Sequence, residues 1–130
     1  MKIEYIVMDN THENAMNAER MRYQSYGVKN IEKIDAEYLE DIKEGSVLVF
    51  LCLVDDKPVA ACYISNYNNT LFVEYLFTLA EYQRKQLYYG KNLLQYILDN
   101  KKIVEEYFEC TINQSLLYPA NNNVIPLYES

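Results

Sequence analysis

The sequence predicts a single α/β (α+β) domain, a mostly antiparallel sheet with helices packed against it. Three observations carry that expectation. Apolar, β-branched and aromatic runs recur at residues 47–54, 59–65 and 71–79, with turn-forming residues between them. Helical periods occupy residues 12–26, 36–42 and 90–108. Half of the 130 residues are hydrophobic, enough for one core and too few for a second domain.

Taken in order, residues 2–8 alternate as a first strand, and Asp9, Asn10 and Thr11 end it with turn and cap chemistry. From His12 to Tyr26, the residues Ala15, Met16, Ala18, Met21, Tyr23 and Tyr26 recur with a broad helical period, and Gly27 stops the run. His12 reads as a solvated residue at a helix start rather than a ligand or base. Asp35 can cap a second helix through Ala36, Tyr38, Leu39 and Ile42, closed by Gly45. Its acidic residues Glu37, Glu40, Asp41 and Glu44 read as a solvated face, the alternative being attraction of an amine. Residues 47–54 and 59–65 form a hairpin around the turn at 55–58, and residues 66–70 turn again into a third strand. A helix from about Gly90 to Phe108 and a strand over residues 109–113 follow.

The stretch from 71 to 98 organises the rest. Residues 71–79 (LFVEYLFTL) have the composition of a strand covered on both faces, with Glu74 the one charge inside it. A basic turn follows at residues 83–91, and then Leu93, Leu94, Ile97 and Leu98 fall on one helical face. A strand, a basic turn and a helix start together make an anion site, because free N–H groups, the helix dipole and nearby lysines all favour a phosphate.

This stretch resembles motif A of the GCN5-related N-acetyltransferases (GNAT), which acetylate amines with acetyl-CoA. Residues 80–83 (AEYQ) correspond to the end of that family's central strand, and residues 90–94 (GKNLL) to the opening of its helix. Counting back from Leu93 and Leu94 puts Gly90 at the second glycine position of the turn, Tyr88 at the first and Lys85 at the Gln/Arg position. Counting forward from Gln83 puts Gln86 and Tyr88 in the glycine positions instead. The first frame is preferred, since it keeps a glycine where backbone must approach a pyrophosphate. The tail, residues 121–129 (NNNVIPLYE), is similar to a later family motif, an Asn followed by a short helix with a Tyr and then Glu. Asn122 or Asn123 can cap that helix, with Pro126 tolerated in its first turn.

The resemblance implies a GNAT-like mixed sheet whose parallel fourth and fifth strands splay apart, with acetyl-CoA as cosubstrate entering the gap. It implies cofactor contacts from the backbone of Phe77, Thr78 and Leu79, from the turn residues Lys85, Gln86, Tyr88, Tyr89, Gly90 and Lys91, and from Asn121. Glu74 is the expected base for the amine, and Tyr128 the acid for the departing thiolate. Equally, Glu74 can point to solvent or pair with a Lys or Arg. Relative to the family the chain ends early, at Ser130, without the following hairpin. This predicts an uncovered edge after the fifth strand, and a homodimer through that edge. The expected activity is transfer of an acetyl group to a primary amine of a small molecule or protein. A binding or regulatory domain that kept the fold, or an inactive fragment, is the alternative.

Charge and cysteine content narrow the class further. The net charge of −7 argues against nucleic acid as a partner, since such binding needs a basic face. No stretch has the length of a transmembrane helix, and Glu4 interrupts any apolar signal segment, so no membrane partner and a cytoplasmic location are expected. Cys52, Cys62 and Cys110 lack metal-binding spacing and read as buried strand residues, with no metal expected.

Overall fold

A computed structural model describes residues 1–25, 27, 37–83, 88–117 and 125–126. Strand β1 (Ile3–Val7) leads into α1 (His12–Ser25), whose start is capped by the Thr11 hydroxyl accepting from the Asn14 N–H at 3.2 Å. Helix α2 (Leu39–Glu44) ends at Gly45 in the left-handed conformation. Strands β2 (Leu48–Val54), β3 (Lys57–Tyr67) and β4 (Thr70–Thr78) form the antiparallel meander. Its two turns are tight because Asp55 and Asp56, then Asn68 and Asn69, all take positive φ, the geometry that matches strand twist. Both pairs are residue types that tolerate it.

Helix α3 (Tyr89–Asp99) follows, then α4 (Lys101–Phe108), β5 (Gln114–Leu117) and β6 (Ile125–Pro126). The described strands form one sheet in sequence order, antiparallel except for the parallel pair β4 and β5. The mixed α/β architecture expected from the sequence is therefore present, including the parallel fourth and fifth strands. Helices cover both faces. One core joins Phe50, Cys62, Ile64, Leu71 and Val73 to Leu93, Ile97 and Val104. The other joins Val49, Leu51, Ala61, Tyr63 and Phe77 to Ala15, Ala18 and Ile42.

Four expectations are corrected. The helix over residues 90–108 is two helices, because Asn100 (φ −123°, ψ 41°) leaves helical geometry and its side-chain amide donates to the Tyr96 carbonyl at 2.8 Å. The strand expected over residues 109–113 starts at Gln114. Glu109 is left-handed (φ 53°), and the Cys110 and Ile112 N–H groups return to the Glu105 carbonyl and carboxylate at 3.0 and 2.8 Å. That segment closes α4 instead, so Cys110 lies at a helix end, half-buried, while Cys52 and Cys62 are buried in strands as expected. In the tail, Ile125 and Pro126 pair with Leu117 and Leu116 as a strand rather than belonging to a short helix. The edge of β5, expected bare, is thus covered at those two positions, which removes the stated motive for dimerisation there. Among the described residues, no helix is long and apolar enough to cross a membrane, and no His, Cys, Asp and Glu cluster is arranged to hold a metal.

Candidate functional site

Two irregularities in β4 shape the site. The first is a bulge. Tyr63 pairs with Tyr75 and Ile64 with Val73, which leaves Glu74 as the extra residue on β4. The inserted residue flips the alternation: Leu71 and Val73 face the α3 and α4 side, while Tyr75 and Phe77 face α1 and α2. Glu74 is half-buried, and its Oε1 accepts from the Ser65 hydroxyl at 2.6 Å. The described residues show no ion pair at this carboxylate.

The second irregularity is the short reach of β5. Its parallel pairing with β4 runs from Thr70 to Val73 and stops there. Beyond that point β4 continues to Thr78 with β3 on one side and, among the described residues, no strand on the other. The start of α3 faces this open segment. A cavity of about 430 Å³ lies between them, lined by Leu76, Phe77 and Thr78 of β4, by Tyr82 and Gln83, and by Tyr88, Tyr89, Gly90 and Lys91 at the helix start.

Gly90 has ordinary helical φ, so its need is for space. A Cβ there would meet Thr78 Oγ1 at 2.9 Å, and only glycine lets the helix start close against β4. Tyr88 is the opposite case. It is left-handed (φ 51°, ψ 48°), a conformation costing about 1–2 kcal/mol for a residue with a Cβ, and its ring is 66% exposed beside Lys91. Gln83 reaches across the cavity, its amide donating to the Thr78 carbonyl at 2.6 Å and to the Ser25 carbonyl at 3.5 Å.

Of the residues expected to bind cofactor, Phe77, Thr78, Tyr88, Tyr89, Gly90 and Lys91 line this one cavity. Leu79 does not, and its N–H is donated to the Val59 carbonyl at 2.9 Å. Glu74 lies two residues before Leu76 on the same strand, about 7 Å away at the usual rise. Lys85, Gln86, Asn121 and Tyr128 lie outside the described residues.

Sequence reasoning missed the charged cluster on the α1 and α2 side. Glu19 and Arg22 are buried at 0% and 3% exposure and form a forked pair, Nε to Oε2 at 2.7 Å and Nη2 to Oε1 at 3.0 Å. The guanidinium also sits 4.7–5.2 Å from the ring centres of Tyr23, Tyr38 and Tyr75. A signal was present. Glu19 and Arg22 fall four and seven residues after Ala15, on the stripe that the small residues Ala15 and Ala18 mark as the buried face.

The profile of the Acetyltransferase (GNAT) family matches residues 12–130. No curated protein matches the chain. Among solved structures, the chain is similar to the PaiA N-acetyltransferase of Thermoplasma acidophilum in complex with coenzyme A. That likeness has 21% identity and a TM-score of 0.58 over 95% of this chain and 83% of the other. It is similar to the ribosomal-protein-S18-alanine N-acetyltransferase of Escherichia coli, with 13% identity and a TM-score of 0.63 over 89% and 66%. A third is AAC(6')-Iy in complex with the bisubstrate analogue CoA-S-monomethyl-acetylneamine, with 15% identity and a TM-score of 0.62 over 95% and 83%. At these identities what is shared is the fold.

Proposed function

Because the chain belongs to the Acetyltransferase (GNAT) family, we propose that it is an acetyl-CoA-dependent N-acetyltransferase acting on a primary amine of a small molecule or protein. The observation that carries this reading is the cavity between the open end of β4 and the start of α3. The residues present fit the cofactor. Free N–H groups at the helix start favour a pyrophosphate, Lys91 adds positive charge, and Gly90 removes the Cβ that would push the helix from the strand. Along the edge of β4 away from β3, where no described strand pairs with it, the backbone around Phe77 and Thr78 is offered to the pantetheine amides, with the Gln83 amide displaced from the Thr78 carbonyl. Lys85, Gln86, Tyr88, Tyr89 and Asn121 complete the proposed cofactor set.

Acetyl-CoA supplies an acetyl group activated as a thioester. The C–N bond forms at the amine as the C–S bond breaks, which requires the amine to be neutral and the departing sulfur to gain a proton. Glu74 takes the ammonium proton, its carboxylate oriented by the Ser65 hydroxyl. Tyr128 gives its proton to the departing sulfur and recovers one from the nitrogen of the new amide, so the products are the amide and the free thiol, and Glu74 passes the ammonium proton to water. Holding the two substrates together supplies most of the acceleration. The reaction belongs in a reducing cytoplasm, a reading supported by the free thiols of Cys52, Cys62 and Cys110.

Calorimetric titration with acetyl-CoA, with free CoA as control, tests the first half of this reading, and saturable micromolar binding is expected. Replacing Glu74→Gln tests the second: turnover is expected to fall about 10²-fold while acetyl-CoA affinity holds. A second reading, a domain that kept the fold without the activity, is favoured by one observation, the Tyr88 ring at the cavity where the family has a glycine. No binding at millimolar acetyl-CoA would select it.

A further inference from the structure

The face of the sheet beside Glu74 holds a buried ion pair that the proposed chemistry leaves unused. Glu19 accepts from both arms of the Arg22 fork, from the Tyr63 hydroxyl at 2.8 Å and from the backbone N–H of Tyr38 at 2.9 Å. One carboxylate thereby joins its own helix α1 to β3 and to the entrance of α2. Tyr38 has no side-chain cap of its own at that entrance. The ring of Tyr38 packs edge-on against Tyr75 at 5.3 Å and Tyr63 at 5.5 Å, and Tyr75 directly follows Glu74 on β4. The Tyr38 hydroxyl feels that carboxylate: burial, and after it the Glu74 charge, push its titration well above the usual phenol range. Burial and then the Glu19 charge do the same for Tyr63, which keeps its proton and donates it.

We propose that Glu19 is a positioning residue for the acceptor amine, holding Tyr38 and Tyr75 as an aromatic wall beside Glu74 through the Tyr38 amide and the Tyr63 hydroxyl. The proposal rests on the reading of Glu74 as the base. Glu19 itself is fully buried, so it acts through Tyr38 and touches no substrate. Arg22 is paired with Glu19 at 2.7 Å and, more loosely, with the rim residue Glu37 at 3.9 Å, so one buried cation faces two carboxylates and, with Glu74 added, the charge that an incoming ammonium meets is negative.

The test uses Glu19→Gln and Tyr63→Phe. The first removes the charge and leaves Arg22 buried without its carboxylate, so it can fail to fold; the second removes one hydroxyl and keeps the pair. In whichever variants fold, the amine KM is expected to rise about tenfold while the acetyl-CoA dissociation constant stays within about twofold. A lower melting temperature with both constants unchanged marks a purely structural role and overturns the proposal. A second readout needs no turnover. Hydrogen exchange of the Tyr38 amide, followed by NMR, should quicken about tenfold or more in the variants while the amides of β2 and β3 keep their protection. If the wild-type protein transfers acetyl to no amine, the activity reading fails, and the exchange result still decides this one: unchanged Tyr38 exchange overturns it.

Discussion

Tyr88 and Gly90 sit two residues apart and ask for opposite things. Gly90 needs no Cβ because Thr78 Oγ1 lies where one would go, whereas Tyr88 carries a Cβ in a left-handed conformation that penalises it. The penalty makes a signed prediction. At an ordinary helical position Gly is about 1 kcal/mol less stable than Ala; at position 88 the order should reverse, with Tyr88→Gly about 1 kcal/mol more stable than Tyr88→Ala in denaturant unfolding. Equal stabilities, or the usual order, would show that the conformation carries no strain. At this scale the sequence was unevenly legible. Glu74 announced itself as one charge in an apolar run, and the structure gives it a hydrogen-bonded place at a bulge. Glu19 did not, because a glutamate in an amphipathic helix reads as surface unless its place on the stripe is weighed above its chemistry.

The elements of the meander were legible for a physical reason: their turns are made by residue pairs, Asp55 with Asp56 and Asn68 with Asn69, that state the turn geometry locally. The break at Asn100 was not, because Ile97, Leu98, Ile103 and Val104 keep an apolar period running across it. The start of β5 was misplaced for a similar reason. Cys110 and Ile112 alternate like a strand, yet the left-handed Glu109 turns them back onto α4, and only pairing with β4 sets where the strand begins. Elements also meet through single contacts. The Tyr107 hydroxyl of α4 donates to the Gly45 carbonyl at 3.0 Å, and a Cβ on Gly45 would meet that hydroxyl at 2.9 Å. Gly45→Ala therefore adds a steric conflict to a left-handed backbone (φ 86°), and a loss of about 1–2 kcal/mol is expected by chemical denaturation. Tyr107→Phe in the same background should recover part of it, by clearing the space.

For the molecule as a whole, the two buried cores carry groups that must stay protonated to remain buried. Burial pushes the Cys52 thiol up to about 11 and the Cys62 thiol further in the same direction. The unfolded chain releases these protons near pH 8.5–9, so between there and pH 11 the unfolded state binds fewer protons than the folded one. Stability is therefore full below about pH 8.5 and falls as pH rises through the folded value, with Cys52 alone contributing on the order of 2 kcal/mol. Cys52→Ala should flatten that part of the alkaline unfolding profile, read as melting temperature against pH; an unaltered slope would assign the loss to Cys62 and the buried tyrosines instead.

The bulge at Glu74 also makes β4 a strand whose reading frame matters. Deleting that one residue would restore regular pairing with β3, and the hydrogen-bond ladder would improve. Val73 and Tyr75, which already face opposite sides of the sheet, would then simply be consecutive, so that Val73 and Leu76 keep the α3 side and Tyr75 and Phe77 the α1 side. A shorter, more regular chain would thus keep both of its cores and lose only the carboxylate at their border. Deletion of Glu74 should therefore be tolerated far better than deletion of a regularly paired β3 residue such as Cys62, which would put its neighbours on the wrong faces, and a deletion library scored for soluble expression would show the difference directly.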